Sequence, residues 1–166
     1  MPNIMLLFFP MTMAFAASSD LFTMRISNKL VLLLLIGFGV AAVATGMTWE
    51  QVGMHVATAA LVLTVGFTFF AFGWIGGGDA KLAAATTLWL GFGLTLPYLL
   101  YAGVMGGVLT LLVLALRNWP MNPVLARIGW LERLHSPTSG VPYGIALAIA
   151  GMLVYTNSPI FASFTA

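Results

Sequence analysis

Long apolar segments separated by short polar ones dominate the chain. Four of these segments have the length of a single membrane crossing, which needs about 20 apolar residues; they are 3–19, 30–47, 53–75 and 141–160. A fifth segment, 82–116, has no charged residue and would extend for roughly 52 Å as one helix, beyond a hydrocarbon core of ~30 Å. We therefore predict two helices there, with a turn near Gly93–Pro97, because proline disfavours helix at the residue before it.

The pattern as a whole predicts an all-α polytopic membrane protein with six transmembrane helices, formed as a single domain by residues 1–166. Hydrophobic residues make up 61% of the chain and charged residues 6%, whereas soluble domains carry about 25% charged residues. The apolar segments are continuous and do not alternate with polar residues, which excludes a transmembrane β-barrel.

The basic residues support the count of six. With six crossings, all of them fall on one side of the membrane, the side that the positive-inside rule assigns to the cytoplasm; they are Arg25, Lys29, Lys81, Arg117, Arg127 and Arg133. Both termini are then expected outside. The first segment has a competing interpretation as a cleaved signal peptide, because "AFA" at 14–16 resembles a cleavage site, although no basic residue precedes it.

The amino-acid composition excludes several kinds of site and does not favour nucleic acid as a partner. The absence of cysteine excludes disulfides, cysteine-ligated zinc and thiol chemistry, and a net charge of +2 does not indicate nucleic acid as a partner. The chain has no HExxH and no GxSxG motif, and we expect neither a metal nor a cofactor. The polar segment 117–140 is interpreted either as a connector or as carrying a short surface helix at 124–134.

Two aspartates are the candidate catalytic residues. Asp20 follows the first predicted helix and Asp79 the third, so both reach the predicted cytoplasmic boundary although they are 59 positions apart. A boundary aspartate alone is commonly a helix cap or a solubilising charge. Two carboxylates held close together share one proton, so one can activate water while the other polarises a peptide carbonyl.

The segment "GGGDAK" at 76–81 surrounds the second aspartate with small residues. We interpret the three glycines as the end of the third helix, where they would let a substrate backbone approach Asp79. Lys81 either acts on a neighbouring carboxylate or substrate group, or anchors its helix at the membrane surface. We expect His55 to be a packing or helix-end residue and do not assign His135 to the site.

Three segments carry a resemblance to the type IV prepilin peptidases, a family of intramembrane aspartic proteases. "GGGDAK" resembles the family motif GxGDxK, "DLFTMRISNKL" at 20–30 resembles its first aspartate segment, and "PYG" at 142–144 resembles a further family feature. The resemblance implies that Asp20 and Asp79 are catalytic. It also implies supporting residues around them: Gly76, Gly78, Lys81, Asn28, Pro142, Tyr143 and Gly144. Ser27 stands where proline is usual, which we expect to loosen the turn after the first helix.

The resemblance further implies the reaction and its setting. The expected activity is removal of the leader peptide of a prepilin at the cytoplasmic face of the bacterial inner membrane, after a glycine, with the single apolar helix of the substrate lying in the bilayer. The lack of a cysteine-bearing region resembles the short, protease-only form of Flp-type (Tad) pilus systems. A proton-coupled transporter and a non-catalytic assembly subunit remain alternatives. The GxxxG pair Gly103 and Gly107 is expected to pack within the chain, with a homodimer as the alternative.

Overall fold

Eight helices form the chain in this computed structural model, which describes residues 2–120 and 127–165. Their bounds are α1 Pro2–Thr23, α2 Asn28–Ala44, α3 Trp49–Ala71, α4 Gly77–Leu90, α5 Phe92–Arg117, α6 Gly129–His135, α7 Gly144–Tyr155 and α8 Pro159–Thr165. The described residues contain no strand, so the predicted all-α class is confirmed.

Helix length separates clear membrane spans from shorter elements. Within the described part of the chain, α1, α3 and α5 are long and apolar enough to cross a membrane. Helices α7 and α8 meet at 49° across a short break and count as a fourth span if they cross together. The apolar α2 has 17 residues and α4 only 14, so six crossings stay a prediction.

The fifth apolar segment forms two helices, as predicted, but the turn between them lies at Gly91 and not within Gly93–Pro97. Helix α4 ends at Leu90 and α5 begins at Phe92, while Pro97 lies inside α5. Gly91 has φ 75°, a left-handed conformation that side chains rarely adopt. The imidazole of His55 lies about 3.0 Å from where a Cβ of Gly91 would stand, so this chain reversal has no room for a larger residue.

The sequence had suggested that the glycine-rich segment ends the third helix. In the structure this segment begins α4 instead. Helix α3 ends at Ala71, Gly76 is the N-cap of α4, and Gly77 is its first residue. Asp79 therefore lies in the first turn of α4, where the helix dipole favours an acidic side chain.

The expectation that Gly103 and Gly107 pack within the chain is also wrong. A Cβ at either position would meet no atom within 4 Å, whereas one at Gly106 would collide with the ring of Tyr143. The Tyr143 ring therefore requires a glycine at position 106. The two glycines of the GxxxG pair, Gly103 and Gly107, lie on another face of α5.

Trp89 is at the centre of the core. It is 1% exposed, and its indole N–H donates to the carbonyl of Leu34 at 3.0 Å, which joins α4 to α2. The rings of Phe8 and Phe9 of α1 lie 5.8 and 5.4 Å from it. Trp89 therefore connects three helices, which explains a tryptophan in the middle of a predicted helix and away from the membrane boundaries.

Two further predictions concern His55 and the segment 124–134. His55 is buried, with its Nδ1 2.7 Å from the carbonyl oxygen of Leu88, which confirms a packing role. The predicted surface helix at 124–134 falls partly outside the described residues, which omit 121–126; the described part contains α6.

Replacement of Trp89 by alanine is expected to lower the free energy of unfolding by about 3–5 kcal/mol, because a buried aromatic side chain and its contacts are lost. Thermal unfolding in detergent measures the effect. Trp74→Ala is the control, since Trp74 is 70% exposed. Equal stability of the two variants would show that Trp89 does not organise the core.

Candidate active site

The Asp20 carboxylate is held by the backbone of a distant helix. Asp20 lies in the last turn of α1 and is 5% exposed, and its Oδ2 accepts a hydrogen bond of 2.8 Å from the N–H of Gly144. A Cβ on Gly144 would lie 2.8 Å from the same oxygen. Only glycine can therefore bring its N–H to this carboxylate without a clash.

Asp79 stands across a polar cavity from this pair. The cavity has a volume of about 490 Å³, and both carboxylates line it, so the topology brings together the two aspartates that the sequence singled out. Its other lining residues belong to the turn after α1 and to the glycine-rich segment; they are Met24, Arg25, Ile26, Ser27, Asn28, Gly76, Gly77 and Gly78. A Cβ on Gly76 would lie 2.8 Å from Oδ2 of Asp79, so this glycine leaves room for the carboxylate.

Ile26 lies between Gly78, which lines the cavity, and Gly144, which binds Asp20. Its Cβ lies 3.2 Å from the Cβ position of Gly78, and its Cδ1 lies 2.9 Å from that of Gly144. The turn between α1 and α2 is therefore wedged between the starts of α4 and α7. Sequence analysis missed this isoleucine, because an apolar residue in a short polar turn carries no chemical signal.

The turn itself is held more firmly than the sequence had suggested. Ser27 is the N-cap of α2 and accepts a hydrogen bond of 3.3 Å from the N–H of Leu30. Its φ of −74° is one that proline also adopts, so serine keeps the backbone path and adds a cap. The hydroxyls of Ser19 and Thr23 donate to the carbonyl of Arg25, and the expected loosening is not seen.

Lys81 and Asn28 link two helices. The ammonium group of Lys81 donates to Oδ1 of Asn28 at 3.1 Å, which ties the start of α4 to the start of α2. Lys81 does not line the cavity that contains the aspartates, whereas Asn28 does. The structure thus gives Lys81 a contact with a cavity-lining residue, and the two roles that the sequence left open stay predictions.

The Pro142–Gly144 segment fills the space between α1 and α5. Pro142 is fully buried, and the Tyr143 hydroxyl donates to the carbonyl of Ala102 at 3.1 Å. The Tyr143 ring covers Gly106, and Gly144 follows it at the start of α7. Gly144 of this segment contacts Asp20, and Tyr143 lines a cavity together with Asp79.

Arg117 anchors the loop that leads into this segment. The guanidinium at the end of α5 donates to the carbonyl of Leu134 at 3.0 Å, and to those of Ser139 and Gly140 at 2.9 Å each. These bonds fix the chain just before Pro142. In the sequence, Arg117 served only as a basic residue that indicates membrane orientation. Its anchoring role was not visible there, because its three partners are backbone carbonyls and no motif reveals them.

The arrangement provides two carboxylates in a recess between the end of α1 and the start of α4. Helix α4, which carries Asp79 in its first turn, has 14 residues and extends for roughly 21 Å. No group of three potential metal-ligating side chains occurs in the described ranges. Two carboxylates in such a setting can activate water and protonate a carbonyl or a leaving group.

Comparison with known proteins identifies the class. A family model described as the type IV leader peptidase family matches residues 7–111, more than half of the chain and a range that contains both aspartates. The chain belongs to this family and is therefore a peptidase of the leader-peptidase class, built of apolar helices typical of a membrane protein. No curated protein and no solved structure gives a significant match. The matched range ends before Pro142–Gly144.

Gly144→Ala is expected to reduce leader-peptide cleavage by about 10-fold or more, because the added methyl group displaces either the Asp20 carboxylate or the N–H that binds it. Cleavage in membranes, normalised to protein abundance, measures the loss. Gly140→Ala is the matched control in the same loop, since a Cβ there would meet no atom within 4 Å. Wild-type cleavage by the Gly144 variant would contradict the importance of this contact.

Proposed function

We propose that this protein is an intramembrane aspartic endopeptidase that removes the leader peptide of type IV, Flp-type prepilins at the cytoplasmic face, after a glycine. The observation that supports it most directly is that Asp20 and Asp79 line one polar cavity. Membership of the leader peptidase family supports the reaction class.

In the proposed reaction, the carboxylates have complementary charge states. The N–H of Gly144 can only donate, so it is matched to an ionised Asp20. Asp79 then holds the shared proton and donates it to the carbonyl oxygen of the scissile peptide. Asp20 takes a proton from water as the water oxygen attacks the carbonyl carbon. That proton passes to the amide nitrogen as the C–N bond breaks, which restores the charge on Asp20. One hydroxyl of the tetrahedral intermediate returns its proton to Asp79 as the carbonyl of the acid product forms.

The proposed setting is the bacterial inner membrane, with six crossings and both termini outside. In this arrangement α2 and α4 cross despite their shortness, and α7 with α8 forms the sixth crossing. Its support is the grouping of the basic residues: Arg25 and Lys29 follow α1, Lys81 starts α4, and Arg117 ends α5. The proposed partners are the bilayer and a prepilin with one apolar helix.

Asp20→Asn and Asp79→Asn are each expected to abolish cleavage, because asparagine can neither accept the proton from water nor supply one to the carbonyl. Membranes containing the variant and a prepilin are assayed for loss of the leader, with protein abundance measured in parallel. Glu50→Gln is the control; Glu50 is exposed in the first turn of α3, beside the C-terminal end of α4, and does not line the cavity that contains the aspartates.

The outcomes also separate the alternatives. Normal cleavage by either Asn variant would refute the dyad. Retention of pilus assembly by both variants would favour a non-catalytic subunit, and proton-dependent uptake into vesicles without proteolysis would favour a transporter.

Single cysteines are expected to report the topology, because the chain has none of its own. In intact spheroplasts, a membrane-impermeant maleimide should label Glu50→Cys and should not label Arg25→Cys until the membrane is permeabilised. Both positions are exposed in the fold, so accessibility depends on the side of the bilayer. Labelling of both in intact spheroplasts would rule out the proposed orientation.

A further inference from the structure

A second cavity, here called the apolar cleft, opens beside the proposed active site. It has a volume of about 320 Å³ and lies between α3 and α5, with α4 and the start of α7 behind it. Its sides include Val65 and Phe69 of α3 and Leu99 and Gly103 of α5, and its inner wall includes Asp79 and Tyr143.

Asp79 lies at the boundary between the two cavities. It is the residue that lines both the apolar cleft and the polar cavity containing Asp20. Anything held in the apolar cleft is therefore adjacent to one of the two carboxylates, and the other carboxylate lies just beyond.

The apolar cleft is open towards the surroundings of the bundle. Val65, Phe69 and Leu99 are 46, 40 and 39% exposed, so their side chains are not buried in the core of the chain. A Cβ at Gly103 would meet no atom within 4 Å, so the α5 backbone is bare along this edge. In a bilayer, small residues of this kind allow another helix to approach closely.

The chemistry of the inner wall favours a peptide over lipid. A lipid tail in the apolar cleft would place hydrocarbon against the Asp79 carboxyl group and offer it no hydrogen bond, which is unfavourable. A helix whose end unwinds at this point covers the apolar sides and presents free peptide N–H and C=O groups to Asp79. A second copy of this chain has no comparable reason to present an unwound backbone at this depth.

We propose that the apolar cleft is the docking site for the apolar helix of the substrate, which seats against α3 and α5 and delivers the unwound segment at its end to Asp79. This inference rests on the proposed function and adds the surface that recognises the helix. Gly103 is then a substrate-contact position, and Gly107, one turn further along α5 and outside the lining, is not.

The test compares Gly103→Leu with Gly107→Leu on two substrates. One is a full prepilin, and the other is a short peptide with the same leader and cleavage junction but without the apolar helix. Both glycines have open space around them, so both variants are expected to fold. We expect Gly103→Leu to raise KM for the full prepilin by about 10-fold or more, with the short peptide unaffected, and Gly107→Leu to behave as wild type.

The outcomes distinguish this proposal from the proposed function. If the wild type cleaves neither substrate, the proposed function fails and this inference fails with it. If the wild type cleaves both and Gly103→Leu matches it on the full prepilin, the docking site is wrong while the peptidase stands. Equal loss on both substrates would also overturn it, because the change would then act on the catalytic residues and not on the helix.

Photo-crosslinking keeps the proposal testable if the leucine variant does not accumulate. A photoreactive amino acid at position 103 is expected to capture the full prepilin, whereas one at position 107 is not. Capture of lipid alone, or of a second copy of this chain, at position 103 would contradict the assigned occupant.

Discussion

A buried carboxylate needs a hydrogen-bond donor, and the single bond from the Gly144 N–H to Asp20 meets that need by joining the end of α1 to the start of α7. The surrounding structure serves to keep this N–H in place. Gly144 has no Cβ to collide with the carboxylate, the Tyr143 ring rests on Gly106, and Arg117 binds the carbonyls just upstream. The contact between Gly144 and Asp20 therefore depends on two residues outside it. Tyr143 packs on Gly106, and Arg117 binds only backbone carbonyls.

The second aspartate lies on α4, a helix much shorter than its neighbour α5. Glycine flanks this helix at both ends: Gly76 is its N-cap, and Gly91 reverses the chain at its C-terminus. With 14 residues, α4 is roughly 21 Å long beside an α5 of 26 residues, or roughly 39 Å. Asp79, in the first turn of α4, is partly buried and lines a polar recess together with Asp20. Such a recess suits hydrolysis, because it strengthens the electrostatic action of the carboxylates while it still admits water.

Much of the fold and the main pair of the site were accessible from the sequence, for identifiable reasons. Apolar segment lengths indicate the helices, and the order of the predicted helices places Asp20 and Asp79 at the same end of the bundle, where one cavity contains both. The exact reversal at Gly91 was not accessible, because Gly93 and Pro97 give an equally strong local signal and the deciding neighbour, His55, is distant in sequence. The same holds for Gly106, since only tertiary packing shows which of three neighbouring glycines carries an aromatic ring.

The position of Asp79 between a polar and an apolar cavity has a consequence for which peptide bond can react. Inside a helix, each carbonyl is already hydrogen-bonded and surrounded by side chains, so a carboxyl group cannot reach it. A peptide bond at the end of an apolar helix is different, because the first N–H groups and the last C=O groups of a helix have no partner within the helix. If the apolar cleft holds the helix and the polar cavity holds the segment before it, the bond that crosses Asp79 is the one at that junction. A glycine there leaves the helix easily and has no side chain to obstruct the carboxylates. Specificity for a glycine before an apolar segment would then arise from the geometry of the two cavities, with no pocket required for the glycine itself.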